Sequence, residues 1–235
     1  YDPRLPGVLI GLEGWNRARQ LYQVQRDGKV VNTQLQPLGA NDVRDDIESH
    51  EVQVRSHDGA MVPMSILARK GTKLDGRNPV LLNGYAAYGF TAEPTFNQSR
   101  LAWIDAGGVL AVANPRGSGV FGREWYEAGK QATKPNTWRD FIACAEYLIA
   151  QRWTAPDRLG IQGGSAGGIL VGRAMTERPD LFAAVVVLVG DLDTVRMELA
   201  ANGPGNVPEF GSRSTEAGFR ALLAMSTYHQ IKDGV

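Results

Sequence analysis

The chain has 235 residues, enough to bury the core of at least one α/β domain, and its 25 Lys and Arg balance its 25 Asp and Glu. This balance excludes a whole-chain attraction to nucleic acid or to an anionic membrane, and no run of about 18 apolar residues predicts a membrane span. The single cysteine, Cys144, excludes an intrachain disulfide and a cysteine-based metal cluster, and it leaves the compartment open between the cytoplasm and the periplasm or secretion.

The beginning of the chain differs in pattern from the rest. Residues 21–24 and 30–31 flank an Asp-Gly turn, which predicts a β-hairpin. One hairpin cannot bury its own apolar face, so it needs a partner sheet. The polar residues 41–46 then predict a linker. We therefore expect a first unit over residues 1–48 and a second over residues 49–235.

The second unit opens on a predicted antiparallel pair, because residues 51–55 alternate with period two and residues 61–67 return after a His-Asp-Gly turn. From residue 79 onwards, strand-like and helix-like runs alternate. This alternation predicts an α/β fold with a mainly parallel, doubly wound sheet and helices on both faces. The predicted strands cover residues 80–82, 109–113, 158–162 and 183–189, and the predicted helices cover residues 98–106 and 137–151.

A Gly-x-Ser-x-Gly motif occupies residues 163–167, directly after a predicted strand and before the helix-like residues 169–171. This motif is typical of a nucleophile elbow, a sharp turn that forces its serine into strained backbone angles and requires neighbours without side chains. The alternative is a glycine-rich turn that binds a phosphate or only redirects the chain. The strand and helix on either side favour the elbow, so we predict Ser165 as a catalytic nucleophile.

A serine nucleophile needs a histidine to accept its proton and usually an acid to orient that histidine. In α/β hydrolases the chain order is Ser, then Asp or Glu, then His. His229 is the only histidine after Ser165, and Asp193 lies between them. These three residues form one candidate triad, which would make the chain an esterase-like hydrolase. Alternatively, Asp193 orders a loop and His229 is an ordinary polar residue. His50 and His57 lie upstream, at a boundary and a turn, and are predicted to be solvated.

Five stretches follow one another in a specific order along the chain. They are Gly-Tyr at 84–85, residues 107–117, Tyr-Leu-Ile at 147–149, Gly-Gly-Ser-Ala-Gly-Gly at 163–168 and Arg-Pro-Asp-Leu-Phe at 178–182. Through these stretches, residues 84–211 resemble the catalytic domain of the prolyl oligopeptidase family of serine peptidases. The resemblance extends back to about residue 48 and implies an α/β-hydrolase fold. It also implies that residues 1–48 are the last strands of the β-propeller that precedes this domain.

The resemblance implies roles for three further residues. The hydroxyl of Tyr85 and the backbone N–H of Ala166 would form the oxyanion hole, and Tyr88 would line the substrate pocket. The implied reaction is hydrolysis of short peptides through an acyl-enzyme on Ser165. This chemistry needs no metal and no organic cofactor, and the implied partner is a peptide rather than nucleic acid or a membrane.

Two departures from the family pattern affect the functional reading. Members that cut after proline stack a tryptophan on the proline ring at a position that falls near Asn206 here, so a strict proline preference is not implied. The family's triad Asp and His follow the matched region, and residues 226–229 resemble a structural stretch that precedes both. We therefore expect the C-terminal part of the catalytic domain to lie outside this chain. A third possibility is a non-catalytic binding chain that keeps the fold.

Overall fold

The computed structural model describes residue 4 and residues 7–233 of the chain. The predicted domain limits at residues 1 and 235 therefore lie outside the described residues. A three-stranded antiparallel sheet comes first, in the order β1 (Val8–Gly14), β2 (Arg17–Val24) and β3 (Val30–Asn32). The predicted hairpin is confirmed as the β2–β3 pair. The sequence analysis missed β1, whose two glycines weaken the strand pattern.

The second sheet has six strands in the described part of the chain, in the spatial order β4-β5-β7-β6-β8-β9. The pairs β4–β5 and β5–β7 are antiparallel, and the three pairs from β7 to β9 are parallel. The mainly parallel sheet is therefore confirmed, whereas the division of the chain at residue 48 stays a prediction. The strands are β4 (Ile47–Arg55), β5 (Met61–Arg69), β6 (Val80–Asn83), β7 (Val109–Ala113), β8 (Leu159–Gly164) and β9 (Ala184–Leu188).

Helices cover both faces of the second sheet, as predicted. On one face α1 packs Leu101 and Ile104 against Leu110 of β7, and on the other α3 and α4 pack Phe141 and Leu170 into the main core. The buried face of each strand meets these apolar stripes. The helices are α1 (Gln98–Asp105), α2 (Arg123–Glu127), α3 (Pro135–Ala150), α4 (Gly167–Glu177), α5 (Thr194–Met197), α6 (Val207–Phe210), α7 (Glu216–Met225) and α8 (Thr227–Gln230).

A buried ion pair ties the turn between β4 and β5 to α3. The guanidinium of Arg116 donates to both carboxylate oxygens of Asp140 at 2.9 and 2.7 Å, and on its other edge it pairs with Asp58 at 2.6 Å. The Asp140 side chain is fully buried, and it also accepts a hydrogen bond from Ser56 at 2.5 Å. Arg116 is therefore a structural anchor, because its charge is neutralised within the fold.

Part of the second sheet is not covered by the described residues. β9 is an edge strand, and Val186 and Leu188 on it are 39% and 49% exposed. An exposed apolar strand edge favours association with another chain or segment.

Cys144 is fully buried in α3, and burial raises the pKa of its thiol, which makes it a packing residue. Among the described residues, no helix is long and apolar enough to cross a bilayer.

Candidate active site

Ser165 occupies the turn that joins β8 to α4. Its φ angle is 50°, in the left-handed region that L-residues rarely adopt, and its side chain is exposed. Hydrogen bonds on both sides fix this strained conformation: the Ser165 N–H donates to Leu188 at 2.9 Å, and its carbonyl accepts from Gly168 and Asp191 at 2.9 and 3.0 Å. The turn therefore presents the serine hydroxyl at the carboxyl end of the parallel strands, as the elbow motif predicts.

The glycines around Ser165 are required by close backbone contacts. A Cβ atom on Gly163 would lie 2.3 Å from the carbonyl oxygen of Gly167, and one on Gly168 would lie 2.6 Å from the Cα of Gly190. Both separations are far below van der Waals contact, and the opposing atoms are backbone that cannot rotate away. These contacts explain why glycine is required before the nucleophile at motif position 163 and after it at position 168, the residue that follows the motif.

Tyr85 lies two residues after the end of β6, and its side chain interacts with that of Ser165. Burial raises the pKa of the Tyr85 phenol, and the negative charges of Asp191 and Glu209 raise it further. The hydrogen bond with the Ser165 side chain lowers this pKa by a smaller amount. The Tyr85 hydroxyl therefore stays protonated and can donate at neutral pH. Ala166 is buried, and no hydrogen bond among residues 7–233 uses its N–H. Tyr85 and Ala166 both lie next to Ser165, and their role as oxyanion donors stays a prediction.

Tyr88 lies on the rim of a cavity of about 510 Å³ that it shares with Tyr85 and Phe90. Its hydroxyl donates to the side-chain oxygen of Asn206 at 2.8 Å, and burial raises the pKa of the Tyr88 phenol to about 12. Phe90 packs edge-on against Tyr85, with 5.4 Å between ring centroids. The cavity is therefore lined by aromatic side chains, one of which, Tyr88, is hydrogen-bonded to Asn206.

Two buried residues that the sequence analysis did not single out form hydrogen bonds with the loop of residues 85–88 that follows β6. Glu209 is buried, and its carboxylate accepts from the backbone N–H of Tyr88 at 2.9 Å and from the hydroxyl of Tyr126 at 2.5 Å. Lys134 is fully buried, and its ammonium donates to the carbonyl of Ala86 at 2.6 Å. No local motif marks either residue, because each contact joins segments more than 40 positions apart in the chain.

Burial lowers the pKa of Lys134 from 10.5 to about 8, with Glu209 acting in the opposite direction. The unfolded chain then binds more protons between pH 8 and 10.5, so this group makes the folded state more stable as the pH rises through that window. We expect the unfolding free energy of the 235-residue chain to rise by about 3 kcal/mol more than that of Lys134→Met between pH 7.5 and 10.5. Urea unfolding at the two pH values measures this difference. Lys70→Met, at an exposed lysine, should follow the unsubstituted chain, and equal slopes for all three proteins would contradict the prediction.

Asp193 and His229 lie close to each other but contact other partners. The carboxylate of Asp193 caps α5 through the N–H of Arg196 at 3.3 Å, and it is 3.9 Å from Nδ1 of His229. His229 Nδ1 also lies 2.7 Å from the hydroxyl of Ser226. Among the contacts of residues 7–233, none joins His229 to Ser165. The side chains of His50 and His57 are 41% and 37% exposed, and the His50 ring packs edge-on against Trp153.

The model of the prolyl oligopeptidase family matches residues 94–234, which is more than half of the chain and includes Ser165 and Ala166. The chain belongs to the prolyl oligopeptidase family. The α/β-hydrolase fold that the resemblance implied is therefore confirmed.

Individual members of the family give the same result. The chain is 37% identical over 187 residues to the prolyl endopeptidase of Elizabethkingia miricola, covering 79% of this chain and 26% of that protein. It is 38% identical over 214 residues to the dual function macrocyclase-peptidase POPB of Amanita bisporigera, covering 90% and 29%. A solved structure of prolyl oligopeptidase B from Galerina marginata with a bound 35-residue substrate superposes with a TM-score of 0.92 at 29% identity, covering 99% of this chain and 33% of that one. The chain thus spans about a quarter to a third of the length of these family members.

Proposed function

We propose that this chain is the nucleophile-bearing part of a serine peptidase that hydrolyses peptide bonds of short peptides. The observation that carries the proposal is the strained, exposed Ser165 with the protonated Tyr85 beside it. Ser165 Oγ attacks the carbonyl carbon of the scissile bond, and its proton passes to a histidine. The oxyanion accepts hydrogen bonds from Tyr85 and from the N–H of Ala166. The histidine then protonates the leaving amine, and water hydrolyses the acyl-enzyme.

The general base is the part of this reaction that the described residues do not supply to Ser165. We propose that the histidine and its acid partner belong to the portion of the full-length protein that the matched family members have and this chain does not span. The alternative base is His229 with Asp193, which the 3.9 Å separation of these two residues favours. The two assignments differ in whether the 235-residue chain can activate Ser165 on its own.

Fluorophosphonate labelling of the purified 235-residue chain, read by intact mass, distinguishes the two bases. We expect labelling to be at least about a hundredfold slower than in the full-length protein, because an unactivated serine is a poor nucleophile. Ser165→Ala provides the control for labelling elsewhere. Rapid labelling confined to Ser165 and lost in His229→Ala would place the base within this chain. No labelling of Ser165 in the folded full-length protein would instead support a non-catalytic binding chain.

The cavity lined by Tyr85, Tyr88 and Phe90 is the candidate binding site for the substrate residue before the cleaved bond. We propose that Tyr88 contacts this residue, since it lines the same cavity as the oxyanion tyrosine. Asn206 accepts a hydrogen bond from Tyr88 and lies near the position that, by counting from Ser165, holds the stacking tryptophan of proline-cutting members. A polar pair would then replace the flat stacking surface for a proline ring. The proposal is therefore a peptidase that also accepts residues other than proline at this site.

Replacing Tyr85 by phenylalanine tests the oxyanion assignment. Removal of one preorganised donor to a developing oxyanion typically lowers kcat by about 10²-fold, and we expect a loss of this size for peptide hydrolysis by the full-length Tyr85→Phe protein. KM should change little, because the hydrogen bond strengthens only as charge develops on the oxygen. Steady-state kinetics on a short chromogenic peptide measures both parameters. An unchanged kcat would remove Tyr85 from the oxyanion hole.

A further inference from the structure

The loop that carries Tyr85 is strained at several adjacent positions. Ala86 and Tyr88 have φ angles of 50° and 56°, and Gly89 has a φ angle of 67°. For alanine and tyrosine the left-handed region costs about 1–2 kcal/mol each. Such a loop keeps its shape only where surrounding contacts determine it. The direction of the Tyr85 hydroxyl therefore depends on whatever fixes the residues that follow it.

Two buried charged side chains supply much of this support. Lys134 donates from the start of α3 to the carbonyl of Ala86 at 2.6 Å, and Glu209 accepts from the N–H of Tyr88 at 2.9 Å. The 117–119 turn closes the remaining side, where a Cβ on Gly117 would lie 2.3 Å from the Ala86 oxygen. The carbonyl of Ala86 and the N–H of Tyr88 are therefore each hydrogen-bonded to a buried charged side chain.

The burial of the Lys134 ammonium costs more free energy than its contacts in the fold return. Lys134 is fully buried, its ammonium donates to the Ala86 carbonyl, and the ammonium lies 5.6 Å from the centroid of the Phe210 ring. No ion pair within 4 Å involves Lys134 among residues 7–233. Removing an ammonium from water costs several kcal/mol, and one hydrogen bond to a carbonyl returns only part of it. Residues that violate packing rules in this way concentrate around functional sites.

We propose that Lys134 is a positioning residue for the oxyanion hole, which with Glu209 holds the Tyr85–Tyr88 segment so that the Tyr85 hydroxyl is aimed at Ser165. The inference rests on the proposed function, because it assigns Lys134 an effect only through the Tyr85 hydroxyl. Lys134 itself touches neither Ser165 nor the cavity lining in the structure. Misplacement of a catalytic donor by a fraction of an ångström is enough to slow the chemical step.

A double-mutant cycle in the full-length protein tests this role. Lys134→Met removes the ammonium and keeps the length of an unbranched side chain. We expect it to lower kcat for a short peptide about tenfold with KM within about twofold of the unsubstituted protein. In the Tyr85→Phe background, where no hydroxyl is left to aim, the same substitution should lower kcat less than about twofold. A merely structural role would give the same factor in both backgrounds.

The outcomes separate the inference from the function on which it rests. An equal loss on Lys134→Met in both backgrounds, with Tyr85→Phe itself impaired, overturns the positioning role and leaves the oxyanion assignment intact. An unimpaired Tyr85→Phe overturns the oxyanion assignment itself and the inference with it. If Lys134→Met does not fold, as judged by its circular dichroism, the same cycle is run with Glu209→Met. That variant removes the carboxylate that accepts from the Tyr88 N–H and keeps an unbranched side chain, and equal losses in both backgrounds overturn the proposal in the same way.

Discussion

Replacing Ser165 by alanine in the full-length protein is expected to lower kcat for peptide hydrolysis by about a millionfold. The acyl-enzyme cannot form without the hydroxyl, and only the rate enhancement from binding and from the oxyanion donors is left. The fold should be retained, because alanine tolerates the φ angle of 50° about as poorly as serine does. We expect a melting temperature within a few degrees of the unsubstituted protein.

The control for this substitution is Ser99→Ala, at an exposed serine in α1. It should retain full activity, and both variants should melt alike. Active-site titration with a fluorophosphonate gives the second measurement, since Ser165→Ala should incorporate none of the reagent. A Ser165→Ala protein that is folded and keeps more than about one hundredth of the activity would show that the nucleophile is another residue.

The elbow could be predicted from sequence because the determinants of its motif are local. Gly163, Ser165 and Gly167 lie within five positions, and a Cβ on Gly163 would clash with the carbonyl of Gly167 in the same turn. The close contact of Gly168 with Gly190 joins distant positions and could not be predicted. Alternating apolar runs likewise located each strand of the parallel half to within a few residues. β1 was missed because its pattern is interrupted by glycines and its side chains are mostly exposed.

The support beneath the site could not be predicted from this sequence, because its contacts are long-range. Lys134 reaches Ala86 across 48 positions, and Glu209 reaches Tyr88 across 121. A buried lysine and an exposed one look alike in sequence, and only the packing of α3 and α6 around the loop distinguishes them. The Tyr88–Asn206 hydrogen bond is also a long-range contact, across 118 positions. The sequence indicates only that the region near Asn206 departs from the family pattern.

Contacts between distant segments also govern stability, and the Arg116–Asp140 pair is the strongest case. Asp140→Ala is expected to destabilise the 235-residue chain by about 3–5 kcal/mol, since it leaves the Arg116 guanidinium buried without its inner partner. In the unsubstituted chain burial lowers the pKa of Arg116, and its hydrogen bonds with Asp140 and then Asp58 raise it. In the variant the guanidinium stays charged because arginine is not deprotonated in proteins, and Asp58 still pairs with it. At this chain length the loss corresponds to a fall in melting temperature of roughly 10 °C.

Asp58→Ala is the matched variant, because it removes the other carboxylate bound to the same guanidinium. The Asp58 side chain is 41% exposed, against 0% for Asp140, so water can replace it and the expected cost is about 1 kcal/mol or less. Thermal unfolding of the three proteins at neutral pH compares the two substitutions directly. Equal losses would mean that the number of ion-pair contacts, and not their burial, determines how firmly the β4–β5 turn is held against α3.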